Sequence, residues 1–460
     1  MKRFTLLIFS VLFLSSGMVR AQVNEFNISA ANNSIIRSVR GDSVLVYAEE
    51  SLGNGYFLLY RDGTPTAQAF QVSIDGIQVR DVQIYKDRTA YFCGTKTIGA
   101  SNFAVVGQFD IIDAFTGTGK VLWTYFEQWM GYDGLSVTDL TRLDLFKCHD
   151  TVCMAMTGKA LYGMGVSYPN ITVASAWFDG MYWHLYAHTN RYTRMKFTDV
   201  ACLDRMILAV GPSNDDTGCF VKPFRVTPDF PAHPVVTDEM WGLGYGSPVG
   251  EVLVDQMSHD SVVLAHFDNS SGASVVFHLL CLSSSGAPTA PIRTWKTSSI
   301  PAAAYGPGQK LKELNSVGDT AFLLHVNEYP TSGYASLSDW VLSLDYNNYT
   351  LSPAPIVYTP LKMWRPLYGA MHSMDAGVVP MRLSGQNNTW LEAYGPHSVW
   401  GNRCLYADSV GPLYETAWGY SRDIVDETFS DSVLTLSFMP KIFQVDVSAI
   451  CNRISKEDEQ

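Results

Sequence analysis

Two features of the sequence could hold a metal ion. His184 and His188 lie four residues apart, and on an extended strand such side chains share one face, where together they could ligate a metal. We favour the alternative that both lie on the solvent side of an outer strand. Residues 214–218 are acid-rich and could bind calcium, but their pattern of oxygen ligands is incomplete. We therefore predict no metal site and no cofactor, with calcium as the one open alternative.

The short motifs of common catalytic sites are absent from the sequence. Residues 116–120 read TGTGK, but a phosphate-binding loop needs Ser or Thr after the lysine and then a helix, whereas Val121 and Leu122 begin a predicted strand. No GxSxG and no HExxH occurs. Catalysis could still be assembled from acids and bases near the starts of predicted strands, namely Asp81, Asp144, Arg194, Glu251, Lys312, Arg365 and Asp423. They form no motif, so no catalytic residue is assigned.

The large aromatic residues point to binding. Many of them fall where loops and outer strands are predicted, and exposed Trp and Tyr beside polar groups form platforms for sugars or for a protein partner. The candidate binding residues are Trp129, Tyr132, Trp183, Trp241, Trp364, Trp400 and Trp418. The alternative interpretation, which we apply to most of the aromatic residues in these regions, is that they pack between sheets.

A repeated hairpin unit must position these residues. A short strand, a turn that contains Asp and a strongly apolar strand follow one another in each copy of the unit. The turn residues are Asp42, Asp87, Asp150, Asp204, Asp260, Asp319, Asp375 and Asp431. The eight copies are on average about 56 residues apart, just above the usual repeat length of propellers.

Each unit continues with a third strand rich in aromatic and aliphatic residues, and most units with a fourth, more polar strand. Because four strands make one blade, we predict an all-β fold, a β-propeller with eight four-stranded blades. The last unit is one strand short, and residues 23–29 would supply that strand and close the ring without a long exposed edge. Seven blades is the alternative, since Gly377 and Pro380 interrupt the unit at Asp375. Another all-β repeat, or two unlike domains joined near 283–307, would also fit the pattern.

The beginning of the chain predicts export. Lys2 and Arg3 precede an apolar stretch, and Val19 and Ala21 occupy the minus-three and minus-one positions of a signal-peptide cleavage site. We predict a signal peptide at 1–21, a single propeller domain at 22–452 and a charged tail at 453–460. A membrane anchor is the alternative, but the apolar run is shorter than the roughly 20 residues that cross a bilayer. The expected location is the periplasm, the cell surface or the medium.

The cysteines suit an exported chain. All eight lie beyond the predicted signal peptide, and an even number permits disulfides without assigning them. The closest pair, Cys148 and Cys153, flanks a predicted hairpin turn and could form a disulfide across neighbouring strands. Two buried thiols are the alternative.

Charge narrows the class of partner. The formal net charge is -12. The charged residues of the predicted signal peptide are all basic, so the exported part has a more negative net charge still. Nucleic acids and anionic lipids are captured by basic patches, so we exclude both as partners. We expect a monomer that binds a glycan or a protein.

The short signal ending in Ala21 and Gln22, followed by hairpins with Asp at the turn, resembles uncharacterised exported β-propeller proteins of the Bacteroides group of bacteria. This resemblance implies a compartment and a fold, and no catalytic residues. The function that we expect is a binding or scaffolding propeller that presents loops to a glycan or protein partner. The alternative is a polysaccharide hydrolase or lyase with its site at the mouth of the central channel.

Overall fold

The structure is a computed structural model that describes a defined part of the chain. The described residues are 23–27, 33–39, 43–51, 53–60, 70–125, 135–148, 150–162, 166–188, 196–203, 206–213, 218–225, 235–236, 241–242, 248–258, 261–268, 274–282, 293–296, 310–317, 321–327, 338–345, 350–356, 369–374, 377–383, 388–391, 408–412, 426–430, 433–438 and 441–446.

The described strands form eight antiparallel sheets, which we number as blades 1 to 8. Strand β1 (Val23–Asn27) precedes blade 1 in the chain. Blade 1 contains β2 (Asn33–Ser38), β3 (Val44–Ser51), β4 (Asn54–Tyr60) and β5 (Phe70–Asp75). Blade 2 contains β6 (Ile77–Tyr85), β7 (Thr89–Ile98), β8 (Ser101–Asp110) and β9 (Leu122–Tyr125). Blade 3 contains β10 (Leu135–Cys148), β11 (Thr151–Tyr162), β12 (Val166–Phe178) and β13 (Trp183–His188).

The same order of strands continues through the rest of the chain. Blade 4 contains β14 (Asp199–Leu203), β15 (Met206–Pro212), β16 (Cys219–Arg225), β17 (Val235–Val236) and β18 (Trp241–Gly242). Blade 5 contains β19 (Pro248–Ser258), β20 (Ser261–Asp268), β21 (Ser274–Cys281) and β22 (Arg293–Lys296). Blade 6 contains β23 (Lys310–Val317), β24 (Ala321–Asn327), β25 (Ser338–Asp345) and β26 (Thr350–Ile356). Blade 7 contains β27 (Gly369–Met374), β28 (Gly377–Leu383), β29 (Asn388–Leu391) and β30 (Asp408–Pro412). Blade 8 contains β31 (Asp426–Ser430), β32 (Val433–Phe438) and β33 (Lys441–Asp446).

The N-terminal strand closes the last sheet, as the sequence predicts. Strand β1 pairs antiparallel with β33, and its register runs from Val23 opposite Val445 to Asn27 opposite Lys441. The first strand of each blade contacts the first strand of the next, and the series returns from β31 to β2. The sheets are four-stranded except for the five-stranded blade 4. A closed series of such sheets whose inner strands meet in this way is a β-propeller.

Apolar side chains fill the spaces between neighbouring blades. Between blades 1 and 2, the rings of Phe57, Phe92 and Phe109 lie with centroids 5.0 to 6.5 Å apart in tilted arrangements. Strand β15 of blade 4 is buried at every residue, since it is a central strand covered on both faces. This burial explains why the second strand of each unit is the most apolar in the sequence.

The turn residues of the repeat lie between the first and second strands of their blades. Asp87 is in the left-handed region with φ 55°, a conformation that Asp tolerates better than most residues. Asp150 lies in the short turn between β10 and β11. The other turn residues lie outside the described residues, between consecutive strands of the chain; they are Asp42, Asp204, Asp260, Asp319, Asp375 and Asp431.

Proline is accommodated where a ladder is interrupted. Pro380 lies within β28 opposite Met371, while the pairing of β28 with β29 begins only at Met381. Pro223 lies in β16 in the gap between the segments that pair with β17 and with β18. Because proline has no N–H to donate, such gaps let it remain in a central strand. The interruption at Pro380, which favoured seven blades, therefore does not remove the seventh sheet.

One helix was not predicted from the sequence. Helix α1 (Ile111–Thr116) connects β8 to β9. The carboxylate of Asp110 accepts a hydrogen bond from the backbone N–H of Asp113 at its start, and Gly117 ends it with φ 79°. Among the described residues, no helix is long and apolar enough to cross a membrane.

The predicted disulfide between Cys148 and Cys153 is not formed in this structure. Cys153 carries a free thiol. In the register of β10 with β11, Cys148 lies opposite Thr151 and Cys153 opposite Phe146. The two cysteines are therefore diagonal neighbours. The Cα atoms of such neighbours lie about 7–8 Å apart, which is beyond the span of a disulfide.

Candidate functional site

Three acids on the described inner strands accept hydrogen bonds from backbone N–H groups of the next blade. In blade 2, one oxygen of Asp81 accepts hydrogen bonds from the Arg37 guanidinium at 2.9 Å and from the Val82 N–H at 2.8 Å. Its other oxygen accepts from the N–H of Leu143 in blade 3 at 2.9 Å. Asp81 is therefore buried with both oxygens occupied.

The same arrangement recurs in the next two blades. Asp144 accepts from the N–H of Leu145 at 2.8 Å and from that of Cys202 in blade 4 at 2.7 Å. Asp199 accepts from the N–H of Val200 at 3.0 Å and from that of Val254 in blade 5 at 3.1 Å. We call Asp81, Asp144 and Asp199 the clasp carboxylates. Each joins the inner strand of one blade to the inner strand of the next.

Removal from water shifts the proton affinity of two of these groups. Desolvation raises the pKa of Asp144, against the hydrogen bonds from Cys202 and Leu145, which lower it. Desolvation also raises the pKa of Asp199 to about 7, against the opposing charge of Arg142 and the N–H groups of Val254 and Val200. A pKa near neutrality is a common property of catalytic acids, but such an acid must also reach a substrate. Both oxygens of each clasp carboxylate accept hydrogen bonds from backbone N–H groups. These carboxylates therefore join neighbouring blades.

Among the residues whose side chains the structure describes, four of the five exposed large apolar side chains lie on one face of the ring. Ile112, Met181 and Tyr182 lie on the connections between the third and fourth strands of blades 2 and 3, and Leu122 is the first residue of the fourth strand of blade 2. In an antiparallel sheet these connections share one end with the turns at Asp87 and Asp150. Met181 and Tyr182 are 73% and 65% exposed, the highest values among the large apolar side chains described. We call these four residues the rim surface.

Hydrogen bonds fix the hairpin that carries Met181 and Tyr182. One carboxylate oxygen of Asp179 accepts from the N–H groups of Met181 at 2.8 Å and Tyr182 at 2.7 Å. The other lies 2.6 Å from Nε2 of His184, whose ring stacks on Trp177 with centroids 4.9 Å apart and planes 12° apart. The Tyr182 N–H and then His184 lower the pKa of Asp179 to about 2, so this carboxyl is ionised at neutral pH. The hairpin tip is therefore held in one conformation, with both apolar side chains directed to solvent.

The structure places the predicted binding residues unevenly. Trp183 is half-buried and packs on Phe178, with ring centroids 5.4 Å apart, and on the core between blades 2 and 3. Trp241 belongs to the short strand β18. The remaining candidates, Trp129, Tyr132, Trp364, Trp400 and Trp418, lie outside the described residues.

Trp183 was a predicted binding residue, whereas its neighbour Tyr182 belonged only to the wider set of aromatic residues expected near loops and outer strands, and Met181 was not predicted. The signal that marks those two residues is the pair Asp179 and Gly180, which is typical of a turn and lifts the following residues out of the sheet.

The two proposed metal sites have different outcomes. His184 is held by Asp179, and within the part of the chain that the structure describes no three His, Cys, Asp or Glu side chains are grouped to hold a metal ion. Residues 214–217 of the calcium candidate lie outside the described residues.

Comparison with known proteins gives similarity in structure alone. No protein-family model matches the chain, and no curated protein matches it. The chain is similar to the Cps50 (Swd1) β-propeller domain of Myceliophteria thermophila, at 8% identity and a TM-score of 0.47, covering 93% of this chain and 100% of that one. It is also similar to an ulvan lyase of polysaccharide lyase family PL25, at 8% identity and a TM-score of 0.43, covering 92% of this chain and 95% of that one. For a post-proline cleaving enzyme of Rickettsia typhi the identity is 10% and the TM-score 0.45, and the match covers 89% of this chain and 58% of the enzyme. At these values none of the similarities transfers a function.

Proposed function

We propose that this protein is an exported, non-enzymatic binding or scaffolding propeller that presents its rim surface to a partner in the periplasm or at the cell surface. The observation that carries the proposal is the contrast between two sets of side chains. The clasp carboxylates are engaged within the protein, whereas Met181 and Tyr182 are held in solvent by a hydrogen-bonded hairpin. Exposed apolar groups on a rigid support are typical of interaction sites.

A polysaccharide hydrolase or lyase is the weaker interpretation. Such chemistry needs carboxyl groups that face a substrate, about 5 to 9 Å apart in glycoside hydrolases. The three clasp carboxylates lie on inner strands, where a channel site would form, but their oxygens accept bonds from the inner strands themselves.

The chemistry of the rim surface favours a protein partner over a glycan. Tyr and Met are enriched where proteins meet, and both bury much apolar area when they are covered. Sugars stack on open aromatic faces, yet one face of Trp177 is already covered by the ring of His184. A glycan partner, which would use Tyr182, is the alternative that the test separates.

Export is supported by the charged and apolar residues at the start of the chain. If a signal peptidase acts after Ala21, the protein isolated from the envelope or medium begins at Gln22. Mass spectrometry of the N-terminal peptide tests this, and retention of Met1 in the exported protein would contradict it.

Replacing the two exposed side chains tests the binding function. We expect the variant Met181→Ser with Tyr182→Ser to lose at least tenfold in affinity, because removing an interface tyrosine alone often costs about 2 kcal/mol. The matched control is Ile98→Ser, which removes an exposed apolar group from the opposite face. The purified protein would serve as bait for envelope proteins and as a probe on a glycan array.

Three outcomes decide the proposal. Capture of a protein by the wild type and the control, but not by the double variant, supports it. Loss of a glycan signal in the same pattern supports the binding function with the alternative partner. Undiminished binding by the double variant, or turnover of a polysaccharide by the wild type, overturns it.

A further inference from the structure

Two histidines meet inside blade 5. His266 on β20 and His278 on β21 are fully buried, and their Nε2 atoms lie 2.9 Å apart. The ring centroids are 5.1 Å apart and the ring planes differ by 18°. Because a ring nitrogen lies about 1.2 Å from the centre of its ring, these values place the imidazoles end to end in one plane, joined by an N–H···N hydrogen bond.

This hydrogen bond requires one proton between the two facing nitrogens. One Nε2 must carry the proton and donate, while the other must offer its lone pair, so that histidine keeps its proton on Nδ1. A second proton at this position would point two N–H groups at each other and place one positive charge in a buried space; a further proton on the other ring would make a second cation beside it. Burial, followed by the effect of His266, lowers the pKa of His278 to about 3.

The pair lies on the face of blade 5 that packs against blade 4. Val252 lies opposite His266 in the register, and Val252 and Leu264 belong to the apolar cluster between these blades. The titratable and charged residues at register positions on the same side of the sheets as the pair are Asp199 on β14, Cys219 and Arg225 on β16, Asp268 on β20 and Lys296 on β22. Asp199 is itself the clasp carboxylate that binds blade 5 through the Val254 N–H.

We propose that the His266–His278 pair is an acid-sensitive switch that opens the seam between blades 4 and 5. At neutral pH the shared proton joins β20 to β21 through their side chains. On acidification each imidazole takes its own proton, the hydrogen bond is lost and the two cations repel each other. The closed blade excludes the second proton, so acid favours the open form.

The expected size of the effect follows from the ordinary pKa of histidine, about 6.5. At pH 5 an imidazole released into water is protonated with a preference on the order of thirtyfold, so opening becomes more frequent by about that factor for each histidine released. Lowering the pH to about 5 should therefore be sufficient to open the seam between blades 4 and 5.

Hydrogen exchange measured by mass spectrometry tests the switch on the full exported chain. Peptides from residues 248–282 and, as an internal reference, from residues 70–110 are compared at pH 7 and pH 5 after correction for intrinsic exchange rates. We expect protection in blade 5 to fall at least tenfold more than protection in blade 2. An equal change in both blades, or no change in either, would overturn the proposal.

Variants assign the effect to the pair. The double variant His266→Gln with His278→Gln retains a side chain that can form hydrogen bonds at each position but cannot gain charge, so we expect that its blade 5 protection no longer falls when the pH is lowered to 5. The matched control is His184→Gln, an exposed histidine, which should behave as the wild type does. Persistence of the pH response in the double variant would contradict the proposal.

A spectroscopic readout covers the case in which the double variant does not fold. In wild-type protein labelled with 15N at histidine, the pair should give one protonated and one unprotonated Nε2 at pH 7. Two Nε2 resonances of the same protonation state would rule out the shared proton on which the switch depends.

Discussion

At the scale of single residues, the clasp carboxylates solve a problem that inner strands share. The first strand of each blade is the edge of its sheet, so the N–H groups that point away from the second strand lack partners within that sheet. Asp81 satisfies the N–H of Leu143, and the Thr198 hydroxyl donates to the Val252 carbonyl at 2.8 Å while accepting from the Val252 N–H at 3.0 Å. Polar side chains of one blade thus complete the hydrogen bonding of the next.

Replacing one clasp carboxylate should lower the free energy of unfolding. In the variant Asp81→Ala the Leu143 N–H and the Arg37 guanidinium lose a buried acceptor, so we expect a loss of about 2–4 kcal/mol in the free energy of unfolding. Urea denaturation measures this loss. Asp150→Ala removes a fully exposed acid from a turn and is the control, with an expected change below about 0.5 kcal/mol. Equal stability of the two variants would contradict the clasp.

The raised pKa of Asp199 gives a pH dependence of known sign. The folded value of about 7 exceeds the ordinary value of 3.8, so the folded state holds this proton more tightly than the unfolded chain does. The contribution of Asp199 to stability is therefore present below about pH 4 and is lost as the pH rises to about 7.

Replacing this one carboxyl isolates the effect. We expect the difference in unfolding free energy between the wild type and Asp199→Asn to move in favour of the wild type as the pH falls from 8 to 4.5. Parallel stability curves across that range would show that the pKa is not raised. His278 has the opposite effect, because it destabilises the fold as the pH falls below about 6.5. Both proteins contain His278, so its contribution cancels in the difference between them at each pH.

Asp81 and Asp144 could be selected from the sequence, but their role could not be predicted. Their positions near the starts of strands marked them as groups that could line the ring. The partner of Asp81 is 62 residues away in the chain, and its N–H is a group that every residue but proline carries. No pattern of residue types reveals such a bond, whereas Asp87 marks its own turn through local backbone chemistry.

At the scale of the elements, glycines let the bulged inner strands approach their neighbours. Gly94 on β7 pairs with Val79 next to a bulge in β6, and Gly158 on β11 lies beside the bulges of β10. A methyl group on Gly94 would overlap the carbonyl oxygen of Gln78, and one on Gly158 would overlap that of Asp139. A side chain at either position would push the inner strand out of register.

The variant Gly94→Ala tests this contact. Because the group in the way is backbone, the strand itself must shift, and we expect a loss of about 1–3 kcal/mol in unfolding free energy. Thr97→Ala changes an exposed residue of the same strand and should leave the stability within about 0.5 kcal/mol of the wild type. Thermal unfolding of both variants in parallel provides the measurement; an unchanged melting temperature for Gly94→Ala would refute the close approach.

The elements were more predictable than their connections. The apolar runs predicted the second strands, and the third strand that the sequence predicts in each unit is present in the second unit as β8. Helix α1 was missed because IIDAFT reads equally well as a short apolar strand, and only the cap at Asp110 and the end at Gly117 distinguish a single helical turn and a half. Met181 was not predicted, and Tyr182 was not selected as a binding residue, for a related reason, since exposure depends on the hairpin rather than on the residue type.

At the scale of the whole molecule, closure of the ring places every other feature. The rim surface lies on one face, and the clasps join consecutive blades, only if the sheets follow one another around an axis. Strand β1 joins β33, and the return contact runs from β31 to β2, so residues from both ends of the chain complete blade 8. The pairing of β1 with β33 covers the edge of β33, which would otherwise be exposed.

A cross-link between the two ends tests closure most directly. Asn24 lies opposite Gln444 in the register of β1 with β33, so cysteines at both positions share one face and lie within reach of a disulfide or a short bismaleimide. The control pair places cysteines at Asn24 and Phe443, one position out of register, where the side chains project from opposite faces. Peptide mapping by mass spectrometry identifies the link against the native cysteines. We expect the Asn24→Cys, Gln444→Cys protein to cross-link within the chain and the control to do so at least tenfold more slowly; equal rates, or no link in either protein, would contradict a ring closed by its N-terminal strand.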